Sequence, residues 1–177
     1  MTCLMVVLST LVNSLAIGGA PFDPSLSLTK KDTSAVSSSL PAVKAAVDPA
    51  ELISYAQSFK GVQYKYASAD PVKGFDCSGF VLYVFKHFNV HVPRSSSAFA
   101  KIGKRVSLEE AQPGDIILFT GPKSGDTRNV GHVGIVTEGG STISFIHATS
   151  GKAYSVIETP MTPHYRKRFV KVIRVLS

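Results

Sequence analysis

The sequence predicts an α+β domain: helices first, then a mostly antiparallel sheet of about five to six strands. Three observations carry this. Between residues 48 and 103 the apolar residues recur at helical spacing. Past Pro113-Gly114 the period shortens to that of strands, in runs rich in Val, Ile and Phe. Helical and extended segments are grouped rather than alternating, which favours an antiparallel sheet over βαβ units.

Asp48-Pro49-Ala50-Glu51 is a helix start, with an N-cap, a proline at the first helical position and a carboxylate for a capping box. Leu52, Tyr55, Ala56 and Phe59 follow at helical spacing, and Gly61 stops the helix. A second helix begins near Cys77, with Phe80, Val81, Val84, Phe85 and Phe88 as its buried stripe and Asn89 at its end. Ser95-Ser96-Ser97 caps a third short helix through Ile102, closed by Gly103. The strand candidates are Asp115–Thr120, His132–Thr137, Thr142–Ala148, Tyr154–Glu158 and Phe169–Val175. The polar segment Gly121–Val130 is a loop suited to border a groove.

The start of the chain has another character. Leu4 to Ile17 is almost wholly apolar and Gly18-Gly19-Ala20 follows with small residues, so residues 1–20 are expected to be a secretory signal; no Lys or Arg precedes the run. It is short of the roughly 20 residues that span a bilayer. Residues 21–47, rich in Ser, Ala and Pro, read as a disordered linker, and residues 48–177 as one domain. The location expected is exported, periplasmic or extracellular. The formal net charge of +7 falls on the domain, since the charges before Ala50 cancel. Such a surface attracts polyanions; with export, anionic cell-envelope polymers are the partner expected and nucleic acid is not. Arg166-Lys167-Arg168 is the densest basic run and reads as a solvated edge. The oligomeric state is left open.

The chain has two cysteines, and Cys3 lies inside the expected signal. Cys77 is therefore a lone thiol in an exported protein: buried and inert, bridged to another molecule, or chemically active. Its place at a helix start, where backbone N–H groups and the dipole favour negative charge, predicts a lowered thiol pKa. Asp76, Ser78 and Gly79 are poor company for a packing cysteine.

A cysteine nucleophile needs a base, normally histidine, and a third group to orient it. His87 and His91 fall near the far end of the cysteine helix, and His164 follows Pro163 in a turn. His132 and His147 differ. A two-residue turn at Gly139-Gly140 pairs Glu138 with Ser141 and, counting outward, Gly134 with Phe145 and His132 with His147. The two histidines would then face each other with Cβ atoms about 4.5–5.5 Å apart. A slip of one residue would send them to opposite faces.

Asp76-Cys77-Ser78-Gly79-Phe80, Pro113-Gly114-Asp115-Ile116, Gly131-His132-Val133-Gly134-Ile135 and Ile146-His147-Ala148 occur in order, with Val92-Pro93-Arg94 between the first two. Together they resemble the NlpC-type cysteine peptidases of bacterial cell walls, over about Leu52 to Val175. The resemblance implies a papain-like fold and peptidoglycan stem peptides as substrate, typically cut at the γ-D-glutamyl to diamino-acid bond. It implies Cys77 as nucleophile, His132 as base and His147 as the orienting third residue, with no metal or other cofactor. Tyr64 matches a tyrosine kept beside the active site and is a candidate second oxyanion donor. Asp76 and Ser78 cap the cysteine helix or contact the stem peptide. Two departures stand out: Ala67-Ser68 where the family usually has a glycine pair, and Tyr66 where Trp is frequent.

Three rival readings belong beside this one. One Cys and two His could ligate zinc, although no close ligand pair or fourth ligand is evident. The same scaffold could carry another thiol amidase or a transpeptidase. A non-catalytic wall-binding module is the third.

Overall fold

A computed structural model describes residues 46–121 and 129–176. The expected signal (1–20), nearly all of the linker (21–47) and most of the loop after Gly121 lie outside the described residues.

Helix α1 (Pro49–Gln57) opens as its sequence predicts: Asp48 Oδ1 accepts from the Ala50 N–H at 2.8 Å, while Glu51 stays exposed. Its Leu52 and Ala56 are buried. Val47, assigned above to the linker, already packs against the core. Two short strands, β1 (Ala69–Asp70) and β2 (Gly74–Phe75), form an antiparallel ribbon before α2 (Cys77–His87). Phe80, Val81, Val84 and Phe85 are the buried stripe of α2, and left-handed Asn89 (φ +57°) follows its end. The third helix is a 3₁₀ segment, Ser96–Lys101, and its N-cap Ser95 makes no side-chain capping bond. A run of serines supplies little helix propensity, so a short, tight helix forms instead of an α-helix.

The remaining elements are β3 (Lys104–Val106), β4 (Ile116–Thr120), β5 (Val130–Glu138), β6 (Ser144–Ala148), β7 (Val156–Pro160), α3 (Pro163–Arg168) and β8 (Phe169–Arg174). Six of these strands form one sheet in the order β3-β8-β4-β5-β6-β7, every neighbouring pair antiparallel. The predicted α+β class and sheet are therefore present. The elements not foreseen are those without a readable period. β1 and β2 have two residues each, β3 buries only Val106, and α3 buries no residue at all.

Both faces of the sheet are covered. Ile116, Leu118, Val133, Ile135, Ile146 and Ala148 pack with the α2 stripe. Ile117, Phe119, Val136, Phe145 and Val172 form a second cluster behind, with Met161 and, at its margin, Tyr165 and Phe169. Two buried faces explain why β4 is an unbroken apolar run rather than an alternating one.

The β5–β6 register differs from the expected one. Val136, not Gly134, faces Phe145, and Ile135 faces Ile146. No two-residue turn closes the hairpin. Residues 139–143 form the connection, with Ile143 buried in the second cluster and its carbonyl accepting from Met161 N–H at 2.7 Å. Gly139 lies so close to the next loop that an added Cβ would sit 2.0 Å from the Ala111 oxygen. Burial of Ile143 and that backbone contact draw the turn away from the tight hairpin. The displacement is two residues, one full strand period, so both histidines keep a common face.

Candidate active site

Helix α2 begins at Cys77 because Asp76 caps it. Asp76 Oδ1 accepts from the Gly79 N–H at 2.7 Å and from the Ser78 hydroxyl at 3.1 Å. Arg94 grips both carboxylate oxygens, at 3.0 and 2.5 Å, and also donates to Ser78 Oγ at 3.1 Å. The carboxylate is spent inside the protein, so capping describes Asp76 in this geometry, and Ser78 belongs to the same network. The first turn of α2 rests on the chain at Ser68: an added Cβ on Gly79 would lie 2.1 Å from the Ser68 oxygen. Ala67 just before it is left-handed (φ +57°), the conformation that a glycine would adopt more cheaply.

The thiol differs from expectation. Burial pushes the Cys77 thiol up, and the nearby Asp76 charge adds to this. Hydrogen bonds from the N–H groups of Val133, Ser78 and Cys77 itself pull the other way without prevailing. Desolvation of a charged sulfur outweighs the helix N-terminus, so the resting group is a neutral thiol.

His132 Nε2 lies 2.8 Å from His147 Nδ1, with the ring planes at 85°. His147 is fully buried and His132 keeps part of its surface open. Burial, the neighbouring His147 and the Arg168 charge hold His132 well below the usual histidine range. Burial and Arg168 hold His147 down to about 3. Both imidazoles are thus neutral near pH 7. Continuing the observed register sets His147 opposite Gly134, where an added Cβ would come within 2.9 Å of the Phe145 ring, 3.0 Å of the Ile146 oxygen and 3.2 Å of His147 Cβ. The register shifts between Phe119 and Thr120, next to Phe119↔His132. Such irregularities bend a strand and re-aim its side chains.

Tyr64 lines the same cleft as Cys77, a volume of about 440 Å³ that also takes in Tyr66, Ala67, Arg94 and Gly131. Its N–H donates to Tyr154 O at 2.9 Å and its ring meets Tyr154 edge-on. Burial, then Cys77 and Asp76, push its phenol up, so the hydroxyl keeps its proton to donate. The other histidines stand apart. His87 stacks on Tyr55 with centroids 3.9 Å apart, His91 is exposed, and His164 sits on α3. Among the described residues no group of three or more His, Cys, Asp or Glu is placed to hold a metal ion.

Four side chains around the site were not foreseen as part of it. Arg94 was noted only as part of a motif. Arg168 was read as solvated edge, yet it is half-buried: Nε and Nη2 donate to Thr120 O at 3.2 and 2.7 Å, and the guanidinium stands 5.7 Å from the Tyr165 ring centre. Arg166 and Lys167 are exposed, as that reading expects. Thr159 and Tyr165 meet His147 from β7 and α3, and nothing in their local sequence marks them.

Residues 61–174 match the NlpC/P60 family. The chain belongs to that family. Among curated NlpC/P60 relatives it is 32% identical over 127 residues to a γ-DL-glutamyl hydrolase of Bacillus subtilis, covering 71% of this chain and 30% of the relative. It is 35% identical over 120 residues to murein DD-endopeptidase MepS/murein LD-carboxypeptidase of Escherichia coli K12, covering 67% and 58%. The match thus spans less than two thirds of either relative's length. Among solved structures, an NlpC/P60 protein from Bacillus cereus superposes with a TM-score of 0.67 at 30% identity, over 75% of this chain and 42% of that one. The NlpC/P60 domain of the peptidoglycan hydrolase SagA gives 0.58 at 25% identity, over 72% and 99%. The helices packed on a six-stranded antiparallel sheet are the papain-like NlpC/P60 fold.

Proposed function

We propose that this chain is an exported cysteine endopeptidase that hydrolyses an amide bond in peptidoglycan stem peptides, the γ-D-glutamyl to diamino-acid bond. The observation that carries the reading is Cys77 at the capped start of α2, in a cleft that Gly131 also lines, with the adjacent His132 joined to His147 at 2.8 Å. The γ-DL-glutamyl hydrolase among the relatives supports a γ-glutamyl bond, and the murein DD-endopeptidase/LD-carboxypeptidase supports murein as substrate while naming other bonds.

In this mechanism Cys77 and His132 start neutral rather than as the thiolate–imidazolium pair that a lowered thiol would provide. Cys77 gives its proton to His132 as sulfur attacks the carbonyl carbon, and the oxyanion is met by the Cys77 N–H at the start of α2. Tyr64 is the candidate second donor. His132 then protonates the leaving amine, the thioester remains, and water attacks it with His132 taking the proton. Hydrolysis releases a carboxylic acid and restores the thiol. His147 orients His132 without adding a full negative charge.

The test is digestion of purified peptidoglycan by the full chain, with fragments identified by mass spectrometry. Cys77→Ala and His132→Ala should abolish release of fragments, and His147→Ala should reduce it less than His132→Ala. Undiminished release by Cys77→Ala would overturn the proposal; products cut at another bond would reassign the substrate bond alone.

A further inference from the structure

His147 has two ring nitrogens and, with no solvent exposure, needs a partner for each. Nδ1 is taken by His132 at 2.8 Å. Nε2 faces two hydroxyls, Thr159 Oγ1 from β7 and Tyr165 OH from α3, each at 3.4 Å. We propose that Thr159 and Tyr165 are positioning residues that accept the His147 Nε2–H in the tautomer in which His132 can act as base.

The argument is one of proton counting. His132 Nε2 is committed to His147, so Nδ1 is the nitrogen left for the Cys77 proton. That nitrogen can accept only if the His132 proton resides on Nε2 and is donated to His147 Nδ1. His147 must then carry its own proton on Nε2, pointing at the two hydroxyls. In the opposite tautomer His147 donates from Nδ1 and His132 is left with a proton on Nδ1, where it cannot take another from the thiol. A hydroxyl can accept from Nε2–H or donate to a bare Nε2, so it is the demand for a free His132 Nδ1 that sets the direction, and Thr159 and Tyr165 then share the one Nε2–H at 3.4 Å each.

The surroundings hold this arrangement in place. The Tyr165 ring packs edge-on against His147 and Phe145, with centroids 5.5 and 4.9 Å away. Arg168 stands 5.7 Å from the Tyr165 ring centre and is anchored to Thr120 O. The titratable or charged groups facing His147 are His132 from β5 and Tyr165 and Arg168 from α3. The Arg168 charge opposes a second proton on either imidazole.

This inference rests on the base role proposed for His132, and the experiment reads the tautomer and the hydrolysis separately. Side-chain ¹⁵N NMR on the full chain at pH 7 should show Nε2–H for both His132 and His147. Thr159→Val with Tyr165→Phe should move His147 toward Nδ1–H and lower kcat on purified peptidoglycan by about 10- to 100-fold with little change in KM, as loss of orienting partners does elsewhere. Thr159→Ser, which keeps the hydroxyl, should restore the spectrum and most of the rate when paired with Tyr165. Each single variant is nearly isosteric and keeps the reading available if the double variant does not fold. A wild-type His147 protonated on Nδ1, or variants with unchanged tautomer and kcat, would overturn the inference. Absence of cleavage by wild type, with the Nε2–H signals present, would fault the hydrolytic reading and leave this one standing.

Discussion

Acidification from pH 7 to pH 5 should destabilise this domain through His147 and His132. The unfolded chain protonates that side chain near the ordinary value of about 6.5, whereas the folded protein holds it at about 3. A base held low in the folded state contributes full stability above its unfolded pKa, and that stability is lost as pH falls from about 6.5 toward 3. At pH 5 the unfolded state has taken the proton and the folded state has not, which costs about 2 kcal/mol relative to pH 7 for this one group. His132 is depressed in the same direction and adds to the loss. Asp70, Glu110 and Glu158 are also held below their usual range, but their contributions vanish only as pH falls below about 4.5, so the window from 7 to 5 isolates the histidines. The assay is urea unfolding of the full chain at both pH values, followed by far-ultraviolet circular dichroism. His147→Asn should shrink the difference between the two pH values by about 2 kcal/mol. A pH dependence unchanged by that substitution would refute the buried, neutral His147 and the reasoning built on it.

Two further outcomes follow from the same geometry. Because burial raises the Cys77 thiol, its alkylation by iodoacetamide should be slow at pH 7 and accelerate only above about pH 9, measured by mass spectrometry; fast labelling at pH 6 would indicate a preformed thiolate. Gly134→Ala should cut peptidoglycan hydrolysis sharply while Cys77 remains alkylable, since its Cβ presses on the Ile146 carbonyl and His147; wild-type activity would contradict the crowding found there.

The helices and most strands were legible because their signals are local. Asp48-Pro49 caps a helix wherever it is placed, and the α2 stripe repeats at one period. Cys77 at a helix start and the two histidines on one face were legible for the same reason. The exact pairing was not. A Gly-Gly turn counts outward to one register, but burial of Ile143 and the backbone contact at Gly139 move it by two residues. The period of a strand, not the turn, is what preserved the histidine pair.

The sequence by itself therefore determined the fold class, the lone thiol at a helix start, and which two histidines could share a face, all properties of spacing along the chain. Only the tertiary structure decided how those groups are charged and held. The thiol is raised rather than lowered because packing of α2 on the sheet removes water from the sulfur. Thr159, Tyr165 and Arg168 reach His147 and its surroundings only because β7, α3 and β4 converge there. Desolvation and long-range convergence depend on what the folded chain brings together, and spacing along the sequence carries no record of either.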